Sequence, residues 1–131
     1  MGIEKDFLMR QLMLLFEVIH KILRHRKTGD REKAFEQIKY FYELLKIDDE
    51  IDLMNIEQLT KFLRKDKNLT TEQIEMIAFV LKEQGELSEQ DEKKHDFFGK
   101  SYFLLQKVEQ ESVTFSMDRQ MKLAELKAWL K

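Results

Sequence analysis

Not one proline occurs in this 131-residue chain, and glycine occurs only four times. Proline breaks helix interiors and glycine weakens them, so a chain that avoids both can run as helix almost without interruption. The remaining composition agrees. Charged residues make up 37% of the chain, and Leu, Glu, Lys and Gln are abundant, all of them good helix formers. No stretch alternates apolar and β-branched positions with polar ones for long enough to propose a strand. The length suits one all-α domain with a real hydrophobic core. With no cysteine at all, disulfides, thiolate metal sites and cysteine nucleophiles are excluded.

Apolar spacing predicts six helices. The first runs from about Glu4 to Lys27, with a central stripe of Leu8, Leu12, Leu15, Ile19, Ile22 and Leu23. Phe7, Leu14 and Val18 flank that stripe on one side, and Met9, Met13 and Phe16 on the other. More than half the circumference is therefore apolar, wider than the stripe of a helix with a single neighbour. This helix is expected to meet several partners, inside the domain or in a second subunit. Thr28-Gly29-Asp30 reads as a turn, with Gly29 ending one helix and Asp30 capping the next. The second helix, about Arg31 to Lys46, buries Ala34, Ile38, Phe41 and Leu45.

Two helix starts carry the reciprocal capping pattern, Asn55 with Gln58 and Thr70 with Gln73. They open a short third helix over about 56–66 and a fourth over about 71–87. The fourth turns Ile74, Ile77, Ala78 and Leu81 inward. A fifth helix covers about 92–110. A sixth, capped by Ser116, covers about 117–130 with a stripe of Met117, Met121, Ala124 and Ala128. The connections are short, which predicts antiparallel neighbours, and no linker divides the chain.

Gly29-Asp30-Arg31-Glu32-Lys33-Ala34, followed by Ile38 and Phe41, resembles the second half of a tetratricopeptide repeat. Ala34 stands at the small position and Ile38 and Phe41 at the large ones. Gly85, Phe98 and Ser101 resemble the small, aromatic and small positions of a second, degenerate copy without the usual turn glycine. The whole chain is also similar to an uncharacterised family of small bacterial helical proteins. That resemblance rests on Lys5-Asp6-Phe7-Leu8-Met9-Arg10, on Glu43-Leu44-Leu45 and on Leu81-Lys82-Glu83-Gln84-Gly85-Glu86. It implies a right-handed, tetratricopeptide-like stack of five to six helices and a bacterial origin, with no activity attached.

Motifs for chemistry are scarce. His20 and His25 are five residues apart and do not share a helix face, and His95 stands alone. Asp48, Asp49, Glu50 and Asp52 fail the calcium-loop pattern, because the sixth and twelfth places counted from Asp48 hold Leu53 and Leu59. Glu17, His20 and Lys21 form a polar strip that i,i+4 pairing of Glu17 with Lys21 explains. No glycine-rich loop could cradle phosphate. The expectation is no catalytic residue, no metal and no cofactor.

Lys21, Arg24, Arg26 and Lys27 are candidates for contact with an anion, although cations at a helix C-terminus also complement its dipole. The net charge of −2 argues against nucleic acid as the main partner. The apolar run Leu12–Phe16 is too short to span a bilayer, and Glu4, Lys5, Asp6 and Arg10 interrupt any secretion signal. The expected role is a cytoplasmic, non-catalytic interaction scaffold. Met9, Met13 and Phe16 would meet a protein, a peptide or a second copy as a homodimer. The alternatives are a regulatory or nucleic-acid-associated protein, and a small-ligand binder or enzyme.

Overall fold

The computed structural model describes residues 2–48 and 50–130, and among them there is helix and no strand. Six α-helices follow in order: α1 Gly2–Lys27, α2 Arg31–Leu44, α3 Ile56–Lys61, α4 Thr71–Leu87, α5 Asp91–Glu111 and α6 Met117–Trp129. A 3₁₀ turn at Ile51–Leu53 precedes α3, and a π-helical turn, Phe62–Asp66, continues it. The chain divides into two compact units, Met1–Asp49 and Glu50–Lys131.

The first unit is a hairpin of α1 and α2. Gly29 adopts φ +81°, which a glycine takes at no steric cost. Two reversed hydrogen bonds close the end of α1: the Gly29 amide donates to Arg26 O at 3.1 Å, and the Asp30 amide to His25 O at 2.9 Å. The Asp30 carboxylate then accepts from the Lys33 amide at 3.2 Å and starts α2. Three residues thus reverse the chain with their backbone groups satisfied locally. Leu15, Val18, Ile19 and Ile22 of α1 are buried, as are Ala34, Ile38, Phe41 and Leu45 of the second helix and its cap. At the far end Lys46 takes φ 56°, and the Lys46 and Ile47 amides return to Glu43 and Tyr42 as at Gly29.

In the second unit both predicted capping boxes form. Asn55 Oδ1 accepts from the Gln58 amide at 2.8 Å while Gln58 Oε1 accepts from the Asn55 amide at 2.9 Å. Thr70 and Gln73 do the same at 3.1 and 2.9 Å. α4 and α5 form a second hairpin. Ser101 Oγ donates to the Ala78 carbonyl at 2.6 Å, and Gly85 lies against the ring of Phe98. A Cβ at Gly85 would sit 2.5 Å from two ring carbons, so only glycine permits this approach. The residues singled out by repeat-like spacing are therefore points of tight contact between α4 and α5.

α6 departs from its expected orientation. Met117, Met121, Ala124 and Ala128 face outward, while Arg119 and Leu126, on the opposite side, are buried. Arg119 takes the inward position because two carboxylates await it. Its Nε donates to Glu109 Oε1 at 2.6 Å, its Nη1 to Glu75 Oε2 at 2.8 Å, and its Nη2 to Thr114 O at 2.9 Å. Burial pulls the pKa of this guanidinium down, and the bonds and charges of Glu75 and Glu109 more than offset that, so it stands above its ordinary value. Lys82 on α4 binds Glu125 at 2.9 Å, and the Lys122 ammonium lies 4.9 Å from the centre of the Phe79 ring. Trp129 packs its ring 5.1 Å from Phe98 and ties down the end of α6.

Candidate interaction surface on the first helix

α1 has 26 residues and α2 only 14. Gln11 Nε2 donates to Leu44 O at 3.5 Å, which sets the end of α2 level with Gln11. The nine residues Gly2–Arg10 extend beyond that end, about 13 Å at helical rise. Lys5 through Arg10 are all exposed, including Phe7, Leu8 and Met9.

A second feature runs along the side of α1 away from its hairpin contact. Met9, Met13, Phe16 and His20 recur at spacings of four, three and four residues, the rhythm of a helix-pairing seam. They lie about 140° around the helix from the buried stripe of Leu15, Val18, Ile19 and Ile22. Met9 is 57% exposed, Met13 66% and Phe16 41%, and His20 is exposed as well. The rings of Phe16 and His20 stack at a tilt, 4.6 Å between centroids. The three residues picked from the sequence are thus brought together on one open face, and His20, read there as part of a polar strip, joins them.

Arg10 and Glu17 form the rim of this seam, both exposed, and among the described residues neither has an ion-pair partner. The expected pairing of Glu17 with Lys21 is absent. Glu17 is the only acid within residues 17–27, a stretch dense in cations.

The basic candidates are not assembled into a pocket. Lys21 and Arg24 are exposed on one side of the last turns of α1, with Arg26 about 160° around from Arg24. Arg26 is half-buried and has a partner of its own. These cations, with His25 and Lys27, cap the negative end of the helix dipole. Of the acidic loop, Asp48, Glu50 and Asp52 are exposed, and Asp49 lies outside the described residues. Among the described residues no three His, Asp or Glu side chains converge to hold a metal ion, and no helix is long and apolar enough to cross a membrane.

The second unit has surface clefts. One of about 370 Å³ lies between α5 and α6, lined by Tyr102, Gln106, Glu109, Leu123, Ala124 and Lys127. Another of about 240 Å³ lies beside the π turn, with Leu63, Arg64, Ile74, Leu104, Lys107 and Glu111 around it. Some of their polar groups are engaged by the protein. Glu109 holds Arg119 and Gln120, and Arg64 holds Glu111. Among the described residues no buried side-chain nitrogen or oxygen lacks a hydrogen-bond partner. A ligand entering either cleft would have to compete with these bonds.

Sequence reasoning missed the buried ionic groups. Arg119 is 3% exposed, and Lys100 is buried with its ammonium 2.7 Å from both Asp96 Oδ2 and Asp52 O. Asp96 and Lys100 stand four apart, a spacing legible in the sequence. The carboxylates of Arg119 are ten and 44 positions away, and nothing local announces them. No protein-family model matches the chain, and no curated protein or solved structure matches it either.

Proposed function

We propose that this chain is a non-catalytic, cytoplasmic interaction module that offers the outer face of α1 to another helix. The observation that carries this reading is the exposed seam of Met9, Met13 and Phe16 on the outer face of α1; Phe7 and Leu8, also exposed, lie on other sides of its free end. Met9, Met13 and Phe16 alone leave on the order of 350 Å² of apolar surface on one face, the size at which the largest patch of a monomer is often functional. Methionine adds adaptable, polarizable contact of the kind that suits a docking surface. The hairpin behind it is closed at Gly29 by two backbone hydrogen bonds, which supports the seam from its buried side. The close approach of Gly85 to Phe98 and the Ser101–Ala78 bond support a tetratricopeptide-like reading of the second hairpin, a fold used for such scaffolds. Absence of cysteine suits a reducing compartment.

The test is a photo-crosslinking residue placed at Met13, compared with one at the exposed Lys65. In extract, position 13 should give a discrete adduct that disappears when Phe16→Glu is added. Adducts no stronger at position 13 than at position 65 would end this reading.

A further inference from the structure

We infer that the occupant of this seam is a second copy of the same chain, with the two α1 helices packed antiparallel across a two-fold axis. The inference rests on the docking role just proposed and adds the partner and its register. Four seam positions, Met9, Met13, Phe16 and His20, allow a symmetric pairing in which Met13 faces Phe16 of the second copy and Met9 faces His20. The axis then passes between residues 14 and 15, and the same patch serves both copies.

Charge selects this arrangement. In the antiparallel register the rim residues of like heptad position meet, which brings Arg10 beside Glu17 of the second copy, and Glu17 beside its Arg10. Both are exposed and lack an ion-pair partner within their own chain among the described residues. An in-register parallel pairing would instead set Lys5 beside Arg10 of the second copy, two like charges. The area suffices as well. Two copies would cover on the order of 1,000 Å² in total, the lower bound for a specific interface. The predicted dimer is therefore specific and of modest affinity.

Sedimentation of the full chain from micromolar to millimolar concentration tests the inference. A monomer–dimer equilibrium is expected. Arg10→Glu should weaken it about tenfold, Glu17→Arg by a similar factor, and the combined swap should return to within about twofold of the parent. Because the chain contains no cysteine, introduced thiols report register directly. Met13→Cys mixed with Phe16→Cys should form an intermolecular disulfide faster than either variant alone. A monomer throughout the concentration range would overturn self-pairing, as would failure of the swap to rescue or faster crosslinking by Met13→Cys alone. The broader docking role stands or falls separately. A monomeric chain whose position 13 still crosslinks another protein loses only the self-pairing, whereas absence of any adduct at that position removes both.

Discussion

α1 and α4 are the two most apolar-looking helices of the chain, and the structure treats them in opposite ways. In α4, 11 of 17 residues are buried, on every side, and they include Gln73, Lys82 and Glu83. In α1 only Leu15, Val18, Ile19 and Ile22 are buried among residues 5–27, with Phe7, Leu8, Met9, Met13 and Phe16 in the open. The wide apolar girth of α1 suggested a helix enclosed by neighbours, yet the enclosed helix is the shorter one with the more ordinary pattern. Burial is decided by what lies alongside. α5 follows α4 along its length, and α6 reaches it through Arg119, Lys122 and Glu125. α1 has α2 alone within its unit, and α2 is half its length. A fully covered helix holds the fold together. One left bare on its outer side has surface available for binding.

Substitutions at matched apolar positions should expose this contrast most strongly. Ile77→Ala in α4 removes a fully buried side chain, and denaturant unfolding should show a loss of about 2–5 kcal/mol. Arg119→Met comes next. It strands Glu75 and Glu109, which keep some access to water, and should cost about 2–3 kcal/mol. Its pH dependence is also specified. A cation whose pKa rises on folding contributes stability below its unfolded-state pKa and loses it as pH climbs through the folded value. For an already strongly basic guanidinium that window lies far into alkali. The gap between parent and Arg119→Met should stay constant from neutral to mildly alkaline pH, and a gap that closes there would show that the cation is not held as described.

Thr70→Ala should be smaller, about 1 kcal/mol, because it removes one side of a capping box from α4 and leaves the core untouched. Smallest is Met13→Ser, measured at concentrations too low for copies to associate, which should move stability by no more than about 0.5 kcal/mol. A loss at Met13 comparable to that at Ile77 would mean that the outer face of α1 is core, and the difference between the two helices would vanish.

Much of the architecture was legible residue by residue. Gly29 and Asp30 sit where a turn must reverse, the Asn55 and Thr70 boxes announce their helices, and helical spacing picked Ala34, Ile38, Phe41, Ile74, Ile77 and Ala78 as buried. These signals are local, with cause and effect within one or two turns. What could not be read depends on groups distant in sequence. Met117 and Met121 look like a core stripe, but the pull of Glu75 and Glu109 on Arg119 rotates α6 the other way. The π turn at Phe62–Asp66 likewise has no signature in its composition. The seam on α1 was legible as a set of residues, Met9, Met13 and Phe16. Its openness was not, because periodicity marks a face as apolar without saying what stands opposite.

The contact between Gly85 and the Phe98 ring leaves no clearance, and this constrains how the lineage can drift. A larger residue at 85 would part the two helices unless a smaller one stood at 98, whereas a smaller residue at 98 alone would leave a cavity. Descendants and cousins of this chain should therefore vary at these two positions in step, even where the exposed face of α1 has diverged.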